Sequence, residues 1–187
     1  ICTSCGGCQF QQLSYVAQLE YKTNKVKDAF RRHFNKDFDV LACLGMDNPY
    51  HYRNKIQVPL GKDIHGHIIS GFYRANTHKI IATDVCYIDD ERSRPIIKDI
   101  KSLMRSFKIE PYDEDKHTGC IRHILIRTSK HKDQIMLTLV TFLDEFKGKN
   151  NFVKAIVEKH PEITTVIQNI NTRDTNVILG QKERTLY

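Results

Sequence analysis

Three stretches of the chain repeat apolar residues at the spacing of an α-helix. They cover residues 13–34, 91–107 and 151–160, and the middle stretch has the most continuous apolar face. Ser14 stands where the first helix would begin and is a suitable N-cap. We therefore predict three helices, the first of which carries lysines and arginines opposite its apolar stripe.

Shorter stretches rich in Ile, Val, Leu and Thr have the pattern of β-strands. They lie at residues 40–45, 52–60, 67–74, 79–82, 119–128, 134–143, 163–170 and 176–179. Short, turn-like connections separate several of them, which favours hairpins. Hairpins grouped between helices indicate an α+β fold with an antiparallel sheet rather than a doubly wound parallel fold.

The composition is that of a globular chain with a basic balance. The 187 residues are 40% hydrophobic and 27% charged, and the formal net charge is +7. This balance favours a polyanionic partner, nucleic acid before a membrane surface, although many basic proteins bind neither. No apolar run approaches the ~18 residues of a membrane span, and there is no signal peptide. We expect a monomer in the reducing cytoplasm, with no membrane partner.

Cysteines are concentrated at the start of the chain. Cys2, Cys5 and Cys8 fall within seven positions, and Cys86 lies far downstream. Two intervening residues let a chain aim both sulfurs at one centre, which indicates a metal or iron–sulfur site. A lone distal thiol is more usual for an iron–sulfur site than for structural zinc, although zinc stays possible on this spacing. A redox dithiol at Cys5 and Cys8, or terminal thiols with no partner, would also be compatible with it.

Basic residues on the predicted strands are candidates for contacts with RNA. They are Arg53, Lys55, Arg74, Arg122 and Arg127, and aromatic residues lie close to several of them in the sequence. The combination suits RNA because cations meet phosphates while rings stack on unpaired bases. The alternative is that the rings belong to the core and the cations to the rims of the sheet. No nucleophile–base motif and no glycine-rich phosphate loop is recognisable.

Eight short stretches occur in the order that is typical of the RNA uracil-5-methyltransferase family. They are residues 5–15, 52–55, 57–59, 71–74, 84–86, 122–127, 176–180 and 186–187. Each is weak alone, but together they make essentially the whole chain resemble this family. The ribosomal-RNA branch carries a four-cysteine iron–sulfur site, so the chain resembles that branch more than the transfer-RNA branch.

The resemblance implies a domain plan. This chain is similar to the family's central domain, with a cysteine-cluster segment at residues 1–12 and an α+β domain at 13–187, whose optional sub-lobes are 13–110 and 111–187. The family's OB-like and Rossmann-like domains have no counterpart in it. The chain begins within a cysteine motif and without Met, which suggests a piece of a longer protein.

The resemblance also implies the chemistry of the parent protein. A cysteine thiolate would add to C6 of an extruded uracil, and C5 would take the methyl group of S-adenosylmethionine. A base would then remove the C5 proton while the C6–S bond breaks and releases the enzyme. Those catalytic residues would lie beyond Tyr187, so this chain alone is expected to be inactive. Ribosomal RNA is the expected partner, ahead of tRNA.

The resemblance implies a 4Fe–4S cluster on Cys5, Cys8 and Cys86. The family's first ligand would fall before Ile1, so Cys2 is either its substitute or a bystander. If that ligand is missing, the chain alone holds no cluster. Two alternatives to the methyltransferase domain stay open, namely a stand-alone nucleic-acid-binding module with a structural zinc or iron–sulfur site, and an electron-transfer protein.

Overall fold

The structure is a computed structural model that describes residues 4–187. The helices are α1 (Tyr15–Phe34), α2 (Ser93–Ser106) and α3 (Lys149–Lys159). The strands are β1 (Lys55–Lys62), β2 (Ile68–Tyr73), β3 (Ile80–Ala82), β4 (Ile121–Ser129), β5 (Gln134–Thr141), β6 (Ile163–Ile170) and β7 (Lys182–Thr185). The predicted α+β class is confirmed. No helix in this part of the chain is long and apolar enough to cross a membrane.

The strands form one sheet in the order β3-β2-β1-β4-β5-β6-β7. Every neighbouring pair is antiparallel except β5 and β6, which are parallel. This exception has a local cause, because α3 lies between the two strands and carries the chain back to the edge from which β5 started. Strands β1–β3 precede residue 111 and strands β4–β7 follow it, and all seven belong to one sheet. The two optional sub-lobes, 13–110 and 111–187, would therefore share that sheet.

The core lies on one face of the sheet, beneath α2 and α3. Its members include Ile56, Ile126, Leu137, Met104 and Ile156, all almost completely buried. The apolar stripe predicted for the second helix is therefore correct and faces the strands. Because side chains alternate along a strand, the residues between these buried positions point to the opposite face of the sheet.

The first helix is also correctly predicted, but its apolar stripe does not enter this core. The Ser14 hydroxyl caps α1 by accepting a hydrogen bond from the Ala17 N–H at 3.2 Å. No residue of α1 is buried. The stripe instead meets the segment that follows the helix, where the rings of Phe30 and Phe38 lie 5.1 Å apart.

The strand predicted at residues 40–45 is wrong. These residues run along α1 without a partner strand, and side chains of the helix take their backbone N–H groups. The Thr23 hydroxyl accepts from the Cys43 N–H at 2.9 Å, and the Tyr15 hydroxyl accepts from the Met46 N–H at 2.7 Å. Within the segment the Cys43 N–H thus binds a helix side chain instead of a neighbouring strand, and Met46, which follows the segment, is held in the same way.

The strand predicted at residues 176–179 is also wrong, because the last strand starts later, at Lys182. The Asn171 side-chain amide donates to the carbonyl oxygens of Val177 and Ile178 at 2.6 and 2.9 Å. These bonds hold residues 176–179 as a loop across the end of β6. Side-chain amides that bond to nearby backbone compete with strand pairing in this way.

Candidate functional site

The predicted cysteine site is a cavity beside the end of β2. Cys5, Cys8 and Cys86 line it together with apolar side chains such as Phe72 and Val85, and its volume is about 260 Å³. The structure thus brings three of the four predicted thiols to one cavity. The fourth, Cys2, lies outside the described residues.

The Cys-Gly-Gly-Cys turn is held against the backbone of β2. The Gly6 N–H donates to the Tyr73 carbonyl oxygen at 3.0 Å, and Cys5 forms a β-bridge with Arg74. A Cβ atom at position 6 would stand 2.8 Å from that carbonyl oxygen, so the close approach requires glycine. The turn also binds itself, because the Gly7 N–H donates to Cys5 Sγ at 3.4 Å. These contacts place the first two thiols at the mouth of the cavity.

Cys86 reaches the same cavity from the loop between β3 and α2. The thiol is half-buried, and this burial raises its pKa above the ordinary value. Within residues 4–187, no three His, Cys, Asp or Glu side chains are grouped so that they could hold a metal ion. Cys5, Cys8 and Cys86 thus line one cavity but, among the described residues, do not form such a group.

Arg53 also lines this cavity, and its guanidinium group pairs with a carboxylate inside the protein. Its Nη1 lies 3.9 Å from Oδ1 of Asp89, a fully buried carboxylate that also pairs with Arg94. Asp89 and Arg94 act in opposite directions on the pKa of Cys86, and the carboxylate raises it more than the guanidinium lowers it. Among the five predicted RNA contacts, Arg53 thus belongs to the cysteine cavity.

Lys55 and Arg127 lie together on the face of the sheet opposite the core. They are direct partners in the register of β1 and β4, and both side chains are exposed. Like charges that face each other across antiparallel strands repel. An anion placed between them would remove this repulsion and form charge-assisted hydrogen bonds with both.

The other two predicted cations differ in exposure. Arg74 is exposed at the end of β2, whereas Arg122 is only 6% exposed. Arg122 Nη1 donates to the carbonyl oxygens of Asn171 and Arg173 at 3.0 and 2.7 Å. Its guanidinium also lies 4.8 Å from the centre of the Tyr112 ring. Arg122 therefore fastens the loop after β6 to the sheet.

A second concave region lies on the other side of Tyr73 from the cysteines. It consists of two adjoining cavities of about 620 and 570 Å³, whose linings share Tyr73, His78, Glu114 and Arg122. The neighbour of Arg122 in the sequence, His123, lines the smaller one. The sequence places this histidine on a strand but does not reveal its burial. In the sheet it lies between Pro59 of β1 and Val140 of β5, next to a β-bulge between residues 121 and 123.

No protein-family model matches the chain, but curated relatives do. Over all 187 residues the chain is 42% identical to a protein of Clostridium tetani named an uncharacterized RNA methyltransferase, and it covers 40% of that protein. Over 185 residues it is 39% identical to a protein of the same description from Staphylococcus aureus strain COL, covering 98% of this chain and 41% of that protein. The chain spans about two fifths of the length of these curated relatives.

A solved structure shares the fold. It is that of the tRNA (uracil-54, C5)-methyltransferase of Pyrococcus abyssi in complex with S-adenosyl-L-homocysteine. The TM-score is 0.71 and the identity is 24%, and the match covers 96% of this chain and 40% of that chain. The likeness establishes that the sheet and helices described above occur as one part of a larger protein.

Proposed function

We propose that this chain is the RNA-binding, cluster-bearing domain of an S-adenosylmethionine-dependent RNA uracil-C5-methyltransferase. The alignment of all 187 residues, at 42% identity, with a protein named an RNA methyltransferase carries the proposal. The shared fold with a tRNA uracil-C5-methyltransferase supports uracil C5 as the methylated position. S-adenosylmethionine would supply the methyl group and would bind outside these residues.

The contribution of this chain would be to hold the RNA. Three of the predicted cations, Lys55, Arg74 and Arg127, are exposed and can reach phosphates. The other two act on the protein itself, because Arg53 pairs with Asp89 and Arg122 binds backbone carbonyl oxygens. We therefore assign the phosphate contacts to the three exposed residues.

The cysteine cavity would hold a 4Fe–4S cluster. In such a cluster each thiolate binds a different iron, so the sulfurs need not converge on one point. The observation that supports the proposal is that Cys5, Cys8 and Cys86 line one cavity. Cys2 or a residue outside this chain would supply the fourth ligand. The cluster would tie the N-terminal segment to the loop between β3 and α2.

The presence of a cluster would favour the ribosomal-RNA branch, and 23S ribosomal RNA is accordingly the proposed substrate. The complete gene product should transfer tritiated methyl from S-adenosylmethionine to 23S ribosomal RNA, and the chain alone should not. Methylation of tRNA instead would reject the ribosomal substrate while preserving uracil methylation. Light scattering should give the mass of a monomer for the chain.

Metal content tests the cluster directly. The chain is purified without oxygen and assayed for iron, sulfide and zinc, and its visible absorption spectrum is recorded. About four iron and four sulfide per chain are expected. Zinc without iron would instead favour a nucleic-acid-binding module with a structural metal. A folded chain without any metal would mean that the fourth ligand lies outside this chain and that the α+β body is stable without a cluster.

A further inference from the structure

The two adjoining cavities next to Tyr73 form a groove across the sheet end. The loops at residues 74–78, 110–119 and 174–178 line it. His78 Nδ1 and Glu114 Oε2 meet at 3.2 Å and link the first two of these loops. The groove is thus a concave surface whose walls are held together by a side-chain contact.

A buried histidine with no hydrogen-bond partner lines this groove. His123 is 5% exposed, and within residues 4–187 neither of its ring nitrogens has a hydrogen-bond partner. Burial, with the charge of Arg122 as a smaller cause, lowers the pKa of His123 to about 4, so the ring is neutral near pH 7. A neutral imidazole offers one donor and one acceptor. Buried polar groups are normally paired, so the His123 ring has hydrogen-bonding capacity left over at the wall of this groove.

The charges around the groove argue against a phosphate as the ligand of this ring. Glu114 and Asp174 both line it, and Glu114 Oε1 lies 3.9 Å from Arg122 Nη2, so the buried cation already has an anionic partner. The buried cation, Arg122, already donates to two carbonyl oxygens and contacts the Tyr112 ring. An uncharged group that both donates and accepts hydrogen bonds satisfies the histidine and needs no free cation.

Aromatic rings at the groove favour a planar ligand. The rings of Tyr73 and His78 lie 5.6 Å apart with an angle of 32° between their planes, and both line the two cavities. Such rings provide faces on which a base can stack. The exposed Arg74 stands at the same end of β2, where it can hold an adjoining phosphate.

We propose that this groove binds one unpaired nucleobase of the RNA, with His123 hydrogen-bonded to the edge of the base. The inference rests on the proposed RNA-binding function and adds a base-binding subsite to it. Phosphate contacts at the exposed cations would position the RNA strand. The groove would then bind the base of one particular nucleotide. The proposed subsite thus detects a nucleotide displaced from its stack.

Abasic substitution tests the subsite. The affinity of the chain for a labelled RNA hairpin with a uridine-containing loop is measured by fluorescence anisotropy. Each loop nucleotide is then replaced in turn by an abasic one. One position should lose about tenfold in affinity, the scale of a single base contact. His123→Leu should show a similar loss with the intact RNA and no further loss with the abasic one. His123→Gln, which retains a donor and an acceptor, should recover most of the affinity.

The outcomes separate the subsite from the function on which it rests. Intact binding with a flat abasic scan, or with His123→Leu equal to the unsubstituted chain, would overturn the subsite alone. No binding of any RNA would overturn the RNA-binding function together with it. The salt dependence should be the same for His123→Leu and the unsubstituted chain, because no phosphate contact is lost. Circular dichroism of both variants verifies that they are folded.

Discussion

Lys55 of β1 lies directly opposite Arg127 of β4, and both cations are exposed on the face of the sheet opposite the core. A folded protein gains nothing from placing two like charges in register, since they repel. The arrangement is useful if an anion is shared between them. Substituting one of these two cations should therefore reduce the affinity for RNA without reducing the stability of the fold.

Lys55→Gln should weaken RNA binding severalfold and reduce the slope of log affinity against log salt by about 1, since about one counterion is released per phosphate contact. The free energy of unfolding should stay the same or rise by about 0.5 kcal/mol as the repulsion is relieved. Anisotropy titrations at several salt concentrations and urea unfolding measure the two effects.

Lys154→Gln, the same change of charge on α3, is the control and should alter neither the slope nor the affinity by a comparable amount. An unchanged slope for Lys55→Gln would exclude this face from phosphate contact.

Arg122→Gln should behave differently from Arg127→Gln. Arg122 holds two carbonyl oxygens and an aromatic ring, so its loss should lower the free energy of unfolding by about 2–4 kcal/mol. The exposed Arg127 should change stability by less than about 0.5 kcal/mol. Urea unfolding compares the two, and limited proteolysis should detect cleavage within residues 171–180 first in Arg122→Gln. Equal stabilities would mean that Arg122 does not fasten this loop.

The stability of the chain should depend on pH through His123. The pKa of this histidine is lowered to about 4 in the folded chain, against 6.5 as its ordinary value, because the ring is buried. The unfolded chain therefore binds the proton more readily, and the stabilisation is complete above about pH 6.5 and is lost as the pH falls towards 4. The loss should reach roughly 3 kcal/mol. Urea unfolding between pH 7 and pH 4 measures it, and His123→Gln should show a shallower fall over the same interval.

Two neighbouring substitutions on β2 should act in opposite directions. A Cβ atom at Gly71 would stand 1.9 Å from the Ile81 carbonyl oxygen, so Gly71→Ala should displace β3 and cost about 1–3 kcal/mol. The Ser70 hydroxyl is buried and, within the described residues, has no hydrogen-bond partner. Ser70→Ala should therefore be neutral or stabilising by up to about 1 kcal/mol. Thermal unfolding of both variants checks the pair. Destabilisation by Ser70→Ala would reveal a bound water or an altered strand position.

Iron binding should distinguish the cavity cysteines from the others. Cys86→Ser, reconstituted without oxygen, should lose most of its iron and its visible absorption, since a ligand to the proposed cluster is removed. Cys43→Ser is the matched control, because Cys43 lies beside α1, where its N–H binds the Thr23 hydroxyl. It should retain iron. Equal iron in the two variants would show that the cavity does not hold the metal.

The helices show which parts of the fold are readable from sequence. The stripe of α2 is continuous and is buried on the sheet, so its pattern predicts both its structure and its position. The pattern of α1 predicts the helix correctly, but none of its residues is buried. The spacing of apolar residues predicts whether a segment is a helix or a strand, but it does not predict which part of the protein the apolar face packs against.

The site shows a similar division. The spacing of the cysteines led to Cys5, Cys8 and Cys86, which do line one cavity, because local spacing and a remote thiol are visible in the sequence. The different roles of the arginines were not predictable, since Arg53 pairs with the buried Asp89 and Arg122 donates to two backbone carbonyl oxygens after β6. Such contacts depend on the register and on residues distant along the chain. His123 was missed for the same reason, and no local signal marks it as buried.

The pairing of β1 with β4 also bears on when the cationic surface comes into existence. Two strands, a helix and a long loop separate these partners along the chain, whereas β1–β2 and β4–β5 are neighbours in sequence. Closing the longer loop costs more chain entropy, so local hairpins should precede this junction during folding. Lys55 and Arg127 would then meet only when the two halves of the sheet have joined. A nascent chain consequently lacks the paired cations until its fold is complete, and affinity for a polyanion would report that assembly.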